Sequence, residues 1–476
     1  MPGPTAIRWS RRRSRASAGC TVFRTTPLPS TDSRTASATR AALVERYQRN
    51  RARSRALFAL LSDQAYYSQP IALRHPIVFY EGHLPGFSFN TLVRKALGGP
   101  SLDPTLEALF ARGIDPHESA ESTSRPDDHA SRWPARQVVQ AFAAEADRLV
   151  IEALSTAELD RPGDPFLDHA EAAFAILEHE EMHQETLLYM WHRLPFDQKR
   201  APADYQPRTD GPQPPVDWVD IPGGRVTLGF DRGALPFAWD NECPARSEVV
   251  PAYDIERHDV TNARFLEFVD AGGYRDERWW TPEDWAWICA EQITHPLFWE
   301  RQASGWFWRG MFGWIPLPAS WPVYVSQAEA SAFARWRGAR LATEAEFQRA
   351  AFGSPTGERR HPWGSDGPSP RRGVFDFASW DPEPAGSHPD GASFWGVEDL
   401  VGNGWEWTST PFAPFPGFRA MASYPEYSAN FFDGQHVVLK GASPATAQTL
   451  LRPTFRNWFR ARYPYVYATF RCVKWR

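Results

Sequence analysis

The sequence predicts an α plus α+β fold, a four-helix bundle followed by a loop-rich domain of short strands and few helices. Three observations predict it. Apolar residues recur at helical spacing through four long segments that end before residue 194. A polar stretch holding five prolines follows at Lys199–Pro215, and most of the 22 tryptophans lie beyond it. At 476 residues the chain also exceeds what one hydrophobic core usually serves, so two domains are the starting expectation.

Residues 1–38 are rich in Arg, Ser and Thr and include Arg11-Arg12-Arg13. No apolar run follows them, so they read as a disordered tail or a start assigned too early rather than as an export signal. The first helix is expected over Ala41–Leu61, with Leu43, Val44, Tyr47, Leu57, Leu60 and Leu61 on its apolar side, and Ser62-Asp63 ends it. A second is expected over Ile77–Leu97, stopped by Gly98-Gly99-Pro100, and a polar loop runs from Asp115 to Pro134. Helices resume over Arg136–Leu154 and Pro165–Arg193. Together they make residues 39–198 a bundle, a scaffold whose interior readily hosts metal sites. Residues 199–215 read as a linker. Residues 216–476 read as the second domain, where strand-like pieces such as Val216–Ile221 and Val437–Leu439 alternate with Gly, Pro and Trp. Only Ser326–Trp336 and Thr343–Ala351 promise helices there, and no internal repeat is visible.

Composition narrows the function classes. A hydrophobic share of 42%, with 23% charged residues and a net charge of -5, is that of an ordinary globular protein with no nucleic-acid partner. No apolar run reaches the ~18 residues of a membrane span, so no membrane partner is expected. Cys20, Cys243, Cys289 and Cys472 are scattered without CxxC spacing, which points to a reducing compartment and a cytoplasmic location.

The strongest local signal is His179-Glu180-Glu181-Met182-His183-Gln184-Glu185 in the last bundle helix. Residues four apart share a helical face, so both imidazoles reach toward one ion. Glu185 points elsewhere and reads as a structural or outer carboxylate. The run matches HExxH, in which two histidines hold zinc and Glu180 serves as the base of a hydrolase. Alternatively a third histidine comes from another helix, and His83 in Tyr80-Glu81-Gly82-His83 is the candidate. Three neutral imidazoles suit Fe(II) and O₂ chemistry as well as zinc, and spacing does not choose the metal. A solvated polar face, with Glu180, Glu181 and Glu185 on it, is the plain alternative. His75, before Pro76, reads as a cap of the second helix, while His169 and His192 read as ordinary helix residues.

These features carry a resemblance. A bundle with a Gly-His element followed by HxxxHxE resembles the DinB-like domain of the ergothioneine-type sulfoxide synthases. The remainder resembles their formylglycine-generating-enzyme-like domain, which is related to C-type lectins. Its landmarks are Trp218–Gly224, Val260-Thr261-Asn262, Arg340–Phe347, Val401–Thr408 and Phe470-Arg471-Cys472. The resemblance implies that His83, His179 and His183 bind Fe(II) in a site between the domains. It further implies that Tyr424, in Tyr424-Pro425-Glu426-Tyr427, supplies a proton during oxygen activation and suppresses plain thiol oxidation. Within Arg456-Asn457-Trp458, the resemblance implies that Asn457 together with Tyr427 holds the zwitterionic backbone of the substrate, hercynine, and that Trp458 walls its trimethylammonium group.

The chain departs from the family pattern at informative positions. Phe459 stands where the ergothioneine enzymes carry an Asp for the ammonium group of the thiol donor, and Met182 stands where a substrate-contacting Gln is frequent. The basic pair that grips γ-glutamylcysteine has no clear match before Pro134, where Arg125 and Arg132 have different surroundings. A neutral donor such as a sugar needs no such charges. That pattern, with the run from His75 to Phe87, most resembles the selenoneine synthase branch, whose enzymes join hercynine to a selenosugar with iron and O₂. The ovothiol-type branch shares the flavour of that run, but its members usually continue into a methyltransferase domain, whereas this chain ends at Arg476. The remaining readings are a sulfoxide synthase using cysteine or γ-glutamylcysteine, an HExxH zinc hydrolase and a non-catalytic lectin-like binding protein. Formylglycine generation needs a cysteine pair near the C-terminus, and only Cys472 lies there.

Overall fold

The computed structural model describes residues 33–113 and 133–476. The tail expected at 1–38 lies outside the described residues up to position 32, as do Cys20, Arg125 and Arg132. The helical part comprises α1 (Ser33–Phe58), α2 (Ile77–Ser88), α3 (Pro104–Phe110), α4 (Arg136–Thr156) and α5 (Glu171–Arg193). Four are the long helices of the bundle, with α1 beginning eight residues before its expected start. The short α3 escaped the sequence reading, although its signal was local. Asp103 caps it by accepting from the Thr105 and Leu106 amides, and Pro104 fills the first turn.

α2 is the central helix. Every residue in it except Glu81 is buried, and it packs against α3, α4 and α5. It continues without a break into a wider π-helical stretch, Phe89–Ala96, so the single expected helix is two geometries end to end. α5 begins at Glu171 rather than Pro165, because His169 and Ala170 adopt positive φ angles of 55° and 56° that turn the chain just before it. The expected cap at His75 is not made. Pro76 precedes α2 with no side-chain cap, and His75 Nε2 instead bonds the Gly113 carbonyl at 2.9 Å.

The second part is built on two four-stranded sheets. One runs Trp218–Ile221, Tyr253–Glu256, Cys472–Trp475, Arg340–Leu341, all antiparallel. The other runs Asn457–Arg460, His436–Ala442, Gly404–Pro411, Ala468–Thr469, with only the last pair parallel. A Trp-rich three-stranded sheet spans Trp299–Pro316. Helices Asn262–Asp270, Pro282–Ala290 and Glu426–Ala429 join the two expected ones. They are short, and only Thr281-Pro282, which caps and opens the second of them, announces itself in sequence.

The two parts meet along α5, whose sides serve three neighbours. Glu180 and Gln184 face α1, where Arg51 and Ser54 hold Glu180 and the Asn50 carbonyl accepts from Gln184. Glu178 and Glu185 face the second part, and Glu181 lies between the two neighbours, paired with Arg46 of α1 while still reaching the second part. There the segment 443–452 runs antiparallel to α5. Ser443 and Thr446 donate to Glu185, Thr449 to Glu181, and Arg452 to Glu178. The third side carries His179 and His183. No helix among the described residues is long and apolar enough to cross a membrane.

Candidate metal centre

His83 comes from α2, while His179 and His183 stand one turn apart on α5. One ring nitrogen of each lies within 4.8 Å of those of the other two, and the Nε2 atoms of His83 and His183 are 3.3 Å apart. All three side chains are buried, the most open being His183 at 6%. His83 Nδ1 lies 2.7 Å from the Phe110 carbonyl. A carbonyl only accepts, so Nδ1 carries the proton and the Nε2 lone pair faces the cluster. This outer bond explains the glycine before His83. A Cβ at Gly82 would fall inside the Phe110 ring, so only glycine lets α3 approach α2 closely enough for its carbonyl to reach His83.

Burial governs the charge of these imidazoles. It pulls His83 down to about 4, although the Phe110 bond pushes the other way. It pushes His179 and His183 well below their ordinary value, with the neighbouring imidazoles adding to the effect. All three are therefore neutral near pH 7, the form in which a ring nitrogen binds a cation. Both ring nitrogens of His179 and the Nδ1 of His183 are buried with no hydrogen-bond partner among the described residues. Leaving such groups unpaired costs about 1–3 kcal/mol each. A divalent cation between the three rings removes part of that cost, so the residues present fit a metal of the Fe(II) or Zn(II) kind.

The same shifts set a pH dependence. A buried imidazole that stays neutral below the unfolded value of about 6.5 takes up fewer protons than the unfolded chain does. Stability therefore falls as pH drops from about 6.5 toward 4, by up to about 1.4 kcal/mol per pH unit per imidazole. The Tm of metal-free protein is expected to decline over this window. The decline should be visibly shallower in His179→Phe, measured by scanning calorimetry. An unchanged slope would exclude His179 as a contributor to it.

Two carboxylates of the motif are committed elsewhere. Glu180 pairs with Arg51 at 2.9 Å and accepts from Ser54 Oγ at 2.6 Å, on the side of α5 turned to α1. It is thus held away from the position a hydrolytic base needs. Glu185 accepts from Trp405 Nε1, Ser443 Oγ and Thr446 Oγ1 at 2.7–3.0 Å and ties α5 to the second part. His75 packs tilted against Phe79 and stays outside the cluster. His169 lies in the turn before α5, and His192 bonds the Tyr467 hydroxyl and the Arg309 carbonyl.

Aromatic rings wall the centre. Phe79 stacks on His83 at 4.7 Å and Phe87 lies flat on His179 at 3.5 Å. Tyr424 stands edge-on to His179 at 6.0 Å and to Phe87 at 5.1 Å, so a loop of the second part reaches the imidazoles. Tyr427 is buried, stacks on Trp239 at 3.9 Å and points its hydroxyl at Met182 Sδ, 3.2 Å away. Trp458 meets Tyr427 edge-on at 5.1 Å but has one face covered by Phe412 at 4.3 Å, so it reaches the centre only behind Tyr427. Asn457 is half-buried, and its Oδ1 accepts from the Trp458 amide. Phe459 lies on the other side, stacked on Tyr463 at 5.4 Å with Tyr189 at its edge. Arg74 is buried there, bonded to the Tyr189 hydroxyl and lying over the Tyr463 ring. Sequence reasoning missed Phe87, Trp239, Tyr189, Tyr463 and Arg74. Phe87 was findable, four residues after His83 on the same face. The others are brought in by tertiary contacts with no local signature.

Residues 46–187 match the DinB superfamily, and residues 204–476 match the sulfatase-modifying factor enzyme 1-like domain. The chain is 37% identical over 329 residues to hercynine oxygenase of Mycolicibacterium smegmatis, covering 67% of this chain and 73% of that protein. It is 35% identical over 416 residues to hercynine oxygenase of Mycobacterium tuberculosis, covering 86% and 93%. It is 26% identical over 508 residues to ergothioneine biosynthesis protein 1 of Neurospora crassa, covering 87% and 55%. With both domains in this order and relatives of this likeness along most of its length, the chain belongs to the ergothioneine-type sulfoxide synthase family.

Proposed function

We propose that the protein is a mononuclear non-haem iron enzyme that uses O₂ to join a selenium or sulfur donor to the imidazole of hercynine, with a selenosugar as the preferred donor. The observation that carries this reading is the set of three buried, neutral imidazoles beside Tyr424 at the seam of the two domains. His83, His179 and His183 would hold Fe(II), which when bound would supply the redox chemistry that activates O₂. Exchanging the C–H and Se–H bonds for a C–Se bond releases two electrons and two protons, and oxygenation of the selenium takes two electrons more, so O₂ is fully reduced, one atom going to selenium and the other leaving as water. The chain binds and orients both partners, replacing a bimolecular encounter with an aligned one. The stacked walls at Phe79 and Phe87 exclude water. Tyr424, nearer His179, supplies a proton. Tyr427 and Asn457 form the hercynine wall with Trp458 behind Tyr427, where an aromatic face favours a quaternary cation.

Two features favour this reading over its rivals. Glu180 is locked to Arg51, which argues against a zinc hydrolase using it as base. At the position where the ergothioneine enzymes carry an acid, Phe459 stacks on Tyr463 with Tyr189 at its edge and offers no carboxylate to pair with a donor's ammonium group, a setting that a neutral sugar tolerates. The test is anaerobic enzyme loaded with Fe(II) and hercynine, offered a selenosugar, cysteine or γ-glutamylcysteine, then exposed to air and read by mass spectrometry. A selenium adduct formed in preference supports the proposal. Adducts with thiols alone overturn the donor. No adduct with any donor, alongside zinc at the centre, overturns the reaction. Tyr424→Phe is expected to lower the coupled product by about 10²–10⁴-fold, the usual worth of a placed proton donor, while donor oxidation persists. The ratio of the two products measures it.

A further inference from the structure

We infer that Arg452 is a positioning residue, which holds the Tyr424–Tyr427 loop against the metal-bearing helix. Its guanidinium joins two buried carboxylates from different parts of the fold. It donates to both oxygens of Glu178 at 2.9 Å, and to Glu242 at 2.8 and 2.5 Å. The side chain is 12% exposed, with its partners at 5% and 0%. Glu178 directly precedes His179 on α5. Glu242 closes the turn 239–242 by accepting from the Trp239 amide at 3.0 Å, and Thr454 donates to it as well. That turn carries the loop. Trp239 stacks on Tyr427, Asn241 donates to Ser428 Oγ, Ser428 bonds Asp240, and Asp240 also accepts from the Met421 amide. The circuit returns to α5 where the Tyr427 hydroxyl meets Met182. Arg452 is thus the polar link between residue 178 and the turn that seats Tyr427, a second tie of this loop to α5 beside the bond from Ser423 Oγ to Glu171 at 2.8 Å, and no described contact joins it to the imidazoles. Only an arginine fork engages both acids bidentately. A lysine keeps the charge but loses the geometry.

The inference rests on the proposed reaction for its catalytic consequence but not for its structural one, so the two are read separately. In Arg452→Lys, hydrogen–deuterium exchange at residues 421–428 is expected to rise about tenfold, with α2 and α5 unchanged and one metal still bound per chain. The coupled-to-oxidised product ratio should fall about tenfold, and the same substitution in a Tyr424→Phe background should leave that ratio where Tyr424→Phe alone puts it. Glu178→Gln, which breaks only the α5 side of the bridge, is expected to reproduce both effects and serves if the lysine variant does not fold. Unchanged exchange at 421–428, or a lower Tm with the product ratio intact, overturns the inference. If wild-type enzyme forms no coupled product, the proposed reaction fails, and the exchange data alone decide the role of Arg452.

Discussion

Replacing His179 with alanine is expected to abolish metal binding and turnover together. Both ring nitrogens of this residue are buried without a hydrogen-bond partner among the described residues, and its ring is pinned flat by Phe87. The carboxylates beside it are committed elsewhere, Glu180 to Arg51, Glu181 to Arg46 and Glu185 to the second domain. Loss of an outer partner costs about 10–100-fold in metal affinity, and loss of a ligand from a three-histidine set should exceed that. Metal analysis of the purified variant should find its stoichiometry near zero. Oxygen consumption with hercynine and donor should vanish as well. The stability of the metal-free chain provides an internal control. A bound metal stabilises the wild type by mass action, so adding Fe(II) anaerobically should raise the wild-type Tm and leave that of the variant unmoved. A variant that kept both its metal and its turnover would remove His179 from the centre.

The second large effect is expected from one methyl group. Gly82→Ala places a Cβ inside the Phe110 ring. Neither side can yield easily, because α2 is buried on almost every side and Phe110 is 0% exposed. Overpacking of this kind costs about 1–3 kcal/mol. It also pushes away the Phe110 carbonyl, which orients His83 through Nδ1. We therefore expect a lower Tm together with metal affinity weakened by about 10–100-fold, the size of effect seen when an outer hydrogen bond to a ligand is lost. Titration with Fe(II) under anaerobic conditions, followed by calorimetry, measures both. A variant that is less stable but binds metal as tightly as wild type would show that the bond does not orient the ring. Trimming Phe110 to alanine in the Gly82→Ala background should restore space without displacing the backbone carbonyl, and affinity should recover in part.

Helical periodicity and capping residues fall within a turn or two of the residue they govern. The long helices, the HxxxH pair on one face and the pairing of Gly82 with His83 could therefore be read directly. The same locality explains the errors. The start of α5 depended on a positive-φ turn at His169 and Ala170 that those residue types do not signal. His75 looked like a cap because it precedes Pro76, whereas its partner is a carbonyl 38 residues away. Trp458 could be placed near the substrate by resemblance, but the covering of one of its faces by Phe412 is a cross-strand and loop contact with no counterpart in the run Arg456-Asn457-Trp458.

By itself, the order of residues determined that two imidazoles share one face of a helix and that a Gly-His element waits on another. Only the tertiary structure decided that the third imidazole faces the first two, that Glu180 is spent on Arg51, and that Tyr424 arrives from more than 200 positions away. The physical reason is range. A helix orients its own side chains through hydrogen bonds four residues apart. The approach of α2, α5 and the 421–428 loop to one point depends instead on how buried surfaces and paired charges such as Glu178–Arg452–Glu242 close together over the whole chain.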